Sequence, residues 1–224
     1  MATDVWQNRF EVIGLELDGV LSVPDRPRGV VLFVHALDGR RHHTNDVSIA
    51  TALNERRIAT VDVNLLTVEE QEVDGGSGIA FDATTLGARV VALADELAVH
   101  PRTGGLAAAL YGGGTAAAGV FIAAAARPNW VRAVFSRAGR PDLAGEFVRL
   151  VRCPTLLVVG ETDGAVRELN ERAEPQFPRT ARLAQVPGAS VLREDPEAMA
   201  LVAELARDWF VLRLGGSNQS SVRH

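Results

Sequence analysis

The sequence contains no lysine, so all 23 of its basic residues are arginines. This absence excludes a lysine Schiff base, a lysine general base and the lysine of a Walker-type phosphate loop. The single cysteine, Cys153, excludes a disulfide framework and any zinc or iron–sulfur site that needs several cysteines. We interpret Cys153 as a core residue rather than a reactive thiol, because it precedes a proline at the entrance of a predicted strand.

Basic residues are also outnumbered, with 28 acidic residues and a net charge of −5. No basic stripe is present that would bind nucleic acid or an anionic membrane surface. The longest apolar stretch, Ala116 to Ala126, is shorter than the roughly 20 residues needed to cross a bilayer. The first ten residues lack the pattern of a signal peptide, so we expect a cytoplasmic protein. Aromatic residues make up only 5% of the chain, which leaves Val, Leu and Ala to fill the core.

Hydrophobic patterning alternates between strands and helices along the chain. The apolar run Gly29 to His35 is typical of a strand buried on both faces, and leucines and valines at helical spacing predict a helix over Thr84 to Val99. Phe10 to Leu17 and Gly19 to Val23 predict a hairpin of two strands around a turn at Asp18-Gly19. The other predicted strands are Ile58 to Val63, Gly105 to Tyr111, Val131 to Ser136, Thr155 to Val159 and Arg182 to Val186. The other predicted helices are Asn45 to Arg57, Thr115 to Ala126 and Pro196 to Leu214.

This alternation predicts one doubly wound α/β domain. Short connections between strands and helices require right-handed crossovers, and hence a mostly parallel sheet, here of about eight strands, with helices on both faces. We expect the domain to cover residues 1–214 without a large cap domain, followed by a flexible tail over residues 215–224. Ligands bind beyond the carboxyl ends of such strands. The candidate site is therefore formed by the loops after His35, Val63, Ser136 and Gly160 and by the turn Gly112 to Thr115.

Five segments together carry a family resemblance over roughly residues 10–214. They are the strand that ends in His35, Ala59 to Asp62 with Leu65-Leu66-Thr67, Leu110 to Ala116, Ser136 to Leu143, and Pro154 to Asp163. In order and spacing they resemble the α/β-hydrolase superfamily, in particular its dienelactone-hydrolase-like branch. The resemblance implies a catalytic serine on a sharp strand-to-helix turn with the pattern G-x-S-x-G, together with a histidine and an acid.

The residues at the implied triad positions depart from this pattern. The turn reads Gly112 to Ala116, which places Gly114 at the position of the nucleophile. Val191, or alternatively Ser190, occupies the position of the histidine after the last strand, and no histidine occurs between His100 and His224. Asp163 matches the acid. We therefore predict a degenerate triad with Asp163 as a remnant acid, in which glycine relieves the backbone strain of the turn.

Two other groups offer replacement chemistry. We interpret Thr115 as a first-turn residue of the following helix, and a Thr115 nucleophile with His42 or His43 as its base is the alternative. His42 and His43 are otherwise exposed loop residues. A metal site built from both histidines, His35 and Asp38 has no recognised ligand spacing, so we expect neither a metal ion nor a cofactor.

The resemblance further implies that His35 shapes the oxyanion loop with Ala36 and Leu37. Gly113, Gly114 and Thr115 precede a helix whose unpaired N–H groups attract an anion or a carbonyl oxygen. Arg137 and Arg140 would clamp a carboxylate or a phosphate, unless each is paired with Asp142 or Glu146.

These observations favour a non-hydrolytic pseudoenzyme that binds a small, anionic molecule at the strand ends. An enzyme with rewired chemistry in the same pocket, such as a lyase, a cyclase or a weak hydrolase, is the alternative. A third interpretation is a subunit that forms a homodimer or pairs with an active paralogue, in which case the outer faces matter more than the pocket.

Overall fold

A computed structural model describes residues 3–36, 39–74, 78–178 and 180–215, without the side chains of residues 39–45, 73 and 74. The predicted tail thus lies outside the described residues apart from Gly215. The strands are β1 (Thr3–Val12), β2 (Leu15–Pro24), β3 (Gly29–His35), β4 (Ile58–Asn64), β5 (Ala107–Gly113), β6 (Val131–Arg137), β7 (Thr155–Gly160) and β8 (Ala181–Val186). The α-helices are α1 (Gly39–Glu55), α2 (Val68–Asp74), α3 (Ala83–Val99), α4 (Ala116–Ala126), α5 (Gly164–Ala173) and α6 (Pro196–Leu214), and 3-10 segments cover Ile79–Phe81, Pro141–Leu150 and Glu174–Gln176.

All eight strands form one sheet in the order β1-β2-β4-β3-β5-β6-β7-β8. The pairs β1–β2 and β2–β4 are antiparallel, and the five pairs from β4 to β8 are parallel. The predicted single α/β domain with a mostly parallel sheet is confirmed. The carboxyl ends of the parallel strands therefore lie along one edge, which gathers the loops of the candidate site.

The sheet separates two hydrophobic clusters of different composition. Leucine, valine and alanine dominate the face covered by α3 and α4. The face covered by α1 and α6 holds an aromatic group in which the rings of Tyr111 and Phe135 stack at 5.3 Å, with Phe33 and Phe210 around them. Aromatic side chains also occur in the other cluster, where the rings of Phe121 and Phe177 contact each other at 5.3 Å.

The turn of the first hairpin lies at Ile13 and Gly14, and the prediction of a turn at Asp18-Gly19 was wrong. Both turn residues have positive φ, 53° and 73°, as the twist of a two-residue hairpin requires. Gly19 instead lies inside β2, where an added Cβ would lie 2.7 Å from the carbonyl oxygen of Asp62 on β4. Gly19 is needed because β2 and β4 approach each other closely at this point. The residues next to it in the sequence do not show whether a glycine serves such a contact or a turn.

The observed helix boundaries agree only in part with those predicted from the local hydrophobic pattern. The closing helix Pro196–Leu214 is confirmed in full, whereas α1 begins at Gly39, six residues before the predicted start at Asn45. Helices α2 and α5 were not predicted. Helix α2 nevertheless has a capping box, in which the Glu70 N–H donates to Thr67 Oγ1 at 3.2 Å and the Thr67 N–H donates to Glu70 Oε2 at 2.9 Å. Among the described residues, no helix is both long and apolar enough to cross a membrane.

Candidate functional site

The turn between β5 and α4 has the geometry of a nucleophile elbow with glycine at its centre. Gly114 has a φ of 52°, in the left-handed region. Its N–H donates to the Arg137 carbonyl oxygen at 3.0 Å, and its own carbonyl oxygen accepts from the Arg140 N–H at 3.0 Å. A Cβ added at Gly114 would meet no atom of the described residues within 4 Å. The turn is therefore held against β6, and the described part of the chain leaves the space in front of it open.

Close packing of α4 on β5 explains the glycine that precedes this turn by two residues. A Cβ at Gly112 would lie 2.8 Å from the Val120 side chain and 3.0 Å from the Ala117 backbone. Only glycine fits there without moving the helix. The flanking glycine is thus required by packing, whereas the glycine at position 114 is favoured by its left-handed backbone conformation.

Thr115 is buried at the start of α4. Its backbone is helical (φ −70°, ψ −28°), and its hydroxyl makes no capping hydrogen bond. The Thr115 Oγ1 atom has no hydrogen-bond partner among the described residues and is closed off from solvent. This arrangement agrees with the prediction of a first-turn residue and does not present the hydroxyl to a substrate.

Asp163, the residue at the acid position, binds the loop that follows β8. Its Oδ2 accepts hydrogen bonds from the N–H groups of Gly160 (3.2 Å), Val191 (2.8 Å) and Leu192 (2.9 Å). Its Oδ1 accepts from the hydroxyl of Ser190. Asp163 is 8% exposed and Val191 is fully buried. The carboxylate therefore anchors the loop in which the resemblance places the histidine.

The two arginines proposed as an anion clamp are each paired with a carboxylate. The Arg140 guanidinium binds Asp142 in a bidentate manner, with Nε–Oδ1 and Nη2–Oδ2 distances of 2.9 and 2.7 Å. This contact raises the pKa of Arg140 and lowers the pKa of Asp142. Arg137 is buried and its Nη1 donates to Glu194 Oε1 at 2.9 Å, which differs from the predicted partners Asp142 and Glu146.

Arg137 nevertheless lies close to the elbow. Its Nη2 is 3.0 Å from the point that a Cβ on Gly113 would occupy. Glu194, which follows the histidine position, adopts a positive φ of 59° to reach it. The pair therefore links β6 to the loop after β8 directly behind the elbow, and Glu194 offsets the permanent positive charge of Arg137 there.

A group of buried titratable residues surrounds His35 at the end of β3. The Nε2 of His35 lies 3.0 Å from Asp62 Oδ1 and 3.6 Å from Asp46 Oδ2. Burial lowers the pKa of His35, but the hydrogen bond and charge of Asp62 and the charge of Asp46 outweigh it, so the pKa is raised. Burial raises the pKa of Asp46, against the charges of His35 and Arg137.

Tyr111 belongs to the same group, because burial and the charge of Asp46 raise its pKa well above the ordinary value. Sequence reasoning missed Asp46 and Glu194 altogether. It quoted Tyr111 and Asp62 only as parts of motifs, although an acidic residue inside an apolar strand is itself a signal of a buried partner. No three or more His, Cys, Asp or Glu side chains in the described part of the chain are grouped as a metal site would require.

Several predicted site residues are not described. Leu37 and Asp38 lie outside the described residues, and so do the side chains of His42 and His43. The second half of the oxyanion loop and the proposed histidine base therefore stay predictions. Ala36, by contrast, is buried directly after β3.

Taken together, the described residues form a site suited to holding an oxygen atom. The first N–H groups of α4 have no partner within the helix and carry its positive dipole end. They start beside the open space at Gly114, with the guanidinium of Arg137 behind the turn. A carbonyl or carboxylate oxygen placed there would meet N–H donors and favourable charge.

Comparison with solved structures places the chain among hydrolases. It superimposes on a dienelactone hydrolase from Anabaena variabilis with a TM-score of 0.88 and 37% sequence identity, over 95% of this chain and 99% of that one. It also superimposes on Est1E from Butyrivibrio proteoclasticus with a TM-score of 0.77 and 15% identity, over 94% and 99% of the two chains. The second similarity shows a shared fold only.

Among curated proteins, the chain is 41% identical over 202 residues to a protein of Mycobacterium tuberculosis named "putative phosphoribosyl transferase", in two strains. The match covers 90% of this chain and 45% of the relative. The chain thus spans about half the length of the curated relatives it matches. No model of a known protein family matches the chain.

Proposed function

Because the chain belongs to the dienelactone hydrolase family of α/β-hydrolases, we propose that it is a member that binds a small ligand at the elbow without hydrolysing it. The observation that carries the proposal is Gly114, which keeps the left-handed φ of a nucleophile position but has no side chain to attack an ester. Without a nucleophile, binding groups alone accelerate acyl transfer by roughly 10³–10⁴-fold over water.

Asp163 and Val191 support the same proposal. In a working triad the acid orients a histidine, which in turn removes the proton from the nucleophile. Here the acid accepts three backbone N–H groups and one hydroxyl from the surrounding loops, and the residue at the histidine position is buried in the apolar core. The carboxylate thus has a structural role that does not depend on catalysis.

The ligand that fits this site carries a carboxylate or another anionic oxygen group. The start of α4 supplies N–H donors and a partial positive charge. Arg140 is paired with Asp142 and Arg137 with Glu194, so the helix end provides most of the attraction. Phosphoribosyl transfer is left out of the proposal, because less than half of the relatives that bear this name matches the chain.

A pair of glycine variants tests the binding site. Gly114→Asn fills the open space with the type of side chain that tolerates positive φ best, and Gly145→Asn is its matched control, since Gly145 also has a positive φ (53°) and no atom within 4 Å of an added Cβ. Each substitution costs about 1–3 kcal/mol of backbone strain. We expect small carboxylates to raise the melting temperature of the wild type and of Gly145→Asn, and to leave that of Gly114→Asn unchanged.

Measurements of ester hydrolysis distinguish the proposed ligand-binding function from a rewired enzyme. We expect p-nitrophenyl esters to be hydrolysed at the background rate and a fluorophosphonate not to label the protein. Saturable hydrolysis that Thr115→Ala abolishes would favour the rewired enzyme instead. If carboxylates do not raise the melting temperature and the protein forms a dimer or binds a paralogue, the interpretation as an interaction subunit would be favoured.

A further inference from the structure

A cavity of about 550 Å³ lies between α1 and the first hairpin, away from the elbow. One face of three neighbouring strands forms its floor: Val5 of β1 pairs with Ser22 of β2, which in turn pairs with Thr60 of β4, and Val20 pairs with Asp62. Successive turns of α1 form its wall. None of its lining residues belongs to the elbow or to the loop after β8, so this hairpin cavity is a separate site.

The wall of the hairpin cavity offers mainly hydrogen-bond acceptors. Both amide hydrogens of Asn54 are used, since its Nδ2 donates to the Ile58 carbonyl oxygen at 3.0 Å and to Thr60 Oγ1 at 3.3 Å. The Thr51 hydroxyl donates to the Val47 carbonyl oxygen at 2.8 Å. The Asn54 amide oxygen and the lone pairs of the Thr51 hydroxyl therefore accept rather than donate.

The charged side chains among the described lining residues of the hairpin cavity are acidic. Glu55 stands at the exposed rim and Asp62 lies deeper, with its side chain 16% exposed. Among the described residues that line the cavity, no side chain is basic. Val5 and Val47 are 61% and 56% exposed there, which leaves apolar surface uncovered.

We propose that the hairpin cavity binds a small cationic amphiphile, an alkylammonium whose charged group contacts Asp62 and whose chain covers the valines. An ammonium group supplies three N–H donors and no acceptor, which complements a wall of acceptors and two carboxylates. The volume lies within the roughly 300–1,000 Å³ typical of small-molecule pockets. This inference does not rest on the proposed function of the elbow.

Asp62 couples the hairpin cavity to the buried group around His35. The carboxylate that would bind the ammonium also contacts His35 Nε2 at 3.0 Å. His35 faces Asp62 from β4, Asp46 from α1 and the charge of Arg137 from β6. A cation at Asp62 disfavours the protonated imidazole, so ligand binding and protonation of His35 oppose each other. Affinity should therefore rise with pH, by at most about ten-fold per unit because one proton is displaced.

Three probes of equal length test this proposal by titration calorimetry. We expect n-hexylamine to bind at least about ten-fold more tightly than 1-hexanol and hexanoate not to bind, because only the amine carries the complementary charge. The amine stays charged between about pH 6 and pH 9, since its pKa is close to that of lysine. Equal binding of the amine and the alcohol, or affinity that does not change with pH, would overturn the proposal.

Single substitutions test whether hexylamine binds in the hairpin cavity. Asp62→Asn should weaken hexylamine binding at least about ten-fold, and Ala50→Phe should abolish it, because Ala50 lines the cavity and the larger side chain would fill it from α1. Asp4→Asn is the matched control, because Asp4 lies between Thr3 and Val5 on β1 and so points to the opposite face of the strand. Binding that survives Ala50→Phe, or that is lost in Gly114→Asn, would assign the ligand to another site.

Discussion

Replacing Asp163 with alanine tests whether this carboxylate is a structural anchor. The change removes the acceptor for the N–H groups of Gly160, Val191 and Leu192 and for the Ser190 hydroxyl. Each buried donor left without a partner costs about 1–3 kcal/mol, and because water and loop movement recover part of this, we expect a total loss of about 3–6 kcal/mol. That is a large fraction of the stability of a typical domain.

Urea unfolding followed by circular dichroism measures this loss. Asp195→Ala is the matched control, because the Asp195 carboxylate lies in the same loop but accepts one hydrogen bond, from the Ser190 N–H at 2.8 Å. It should cost about 1 kcal/mol. If Asp163→Ala does not fold, Asp163→Asn, which retains one acceptor oxygen, should show an intermediate loss. A loss below about 1 kcal/mol for Asp163→Ala would refute the anchor role.

Three further predictions concern packing, protonation and catalysis. Gly119→Ala should lower the free energy of unfolding by about 1–3 kcal/mol, because the added Cβ would lie 3.0 Å from the backbone of α3. Gly164→Ala is the control, because no described atom lies within 4 Å of its Cβ, and it should cost less than about 1 kcal/mol or stabilise the protein. Urea titration measures the free energy of unfolding of both variants. The raised pKa of His35 means that its contribution to stability is complete below its ordinary pKa of 6.5 and is lost as the pH rises through the raised value. Stability measured between about pH 6 and pH 9 should therefore fall in the wild type and fall less in His35→Gln. Finally, Gly114→Ser combined with Val191→His should hydrolyse p-nitrophenyl acetate at least about ten-fold faster than Gly114→Ser alone, and equal rates would contradict the assignment of Val191 to the histidine position.

Elements with a continuous local pattern were predictable from the sequence. The helix Pro196–Leu214 and the strand Gly29–His35 are observed with the predicted limits. The first hairpin was misplaced, because a glycine that permits a turn and a glycine that permits a close approach of strands look alike in sequence. Gly14 has the first role and Gly19 the second, and the carbonyl oxygen of Asp62 on a distant strand is what distinguishes them.

In the candidate site, too, the local motifs could be recognised in the sequence but the contacts between distant residues could not. The assignment of Gly114, Val191 and Asp163 to the triad positions stays a prediction, and the sequence could suggest it because each residue lies in a short motif next to a strand end. The partners of the charged residues were not found. Arg137 was expected to pair close by in sequence, yet it pairs with Glu194, 57 residues away, because the loop after β8 returns to the end of β6. Arg140 does pair locally, with Asp142 two residues away.

The sequence by itself determined the alternation of strands and helices and the absence of lysine chemistry, since these are properties of contiguous segments and of composition. The tertiary structure alone decided which charges meet. Asp46, Asp62 and His35 come from a helix and two strands, and the approach of both carboxylates to His35 Nε2, which raises the pKa of His35, exists in no segment on its own. The hairpin cavity has the same origin, because its floor and its wall become neighbours only when the sheet edge packs beside α1.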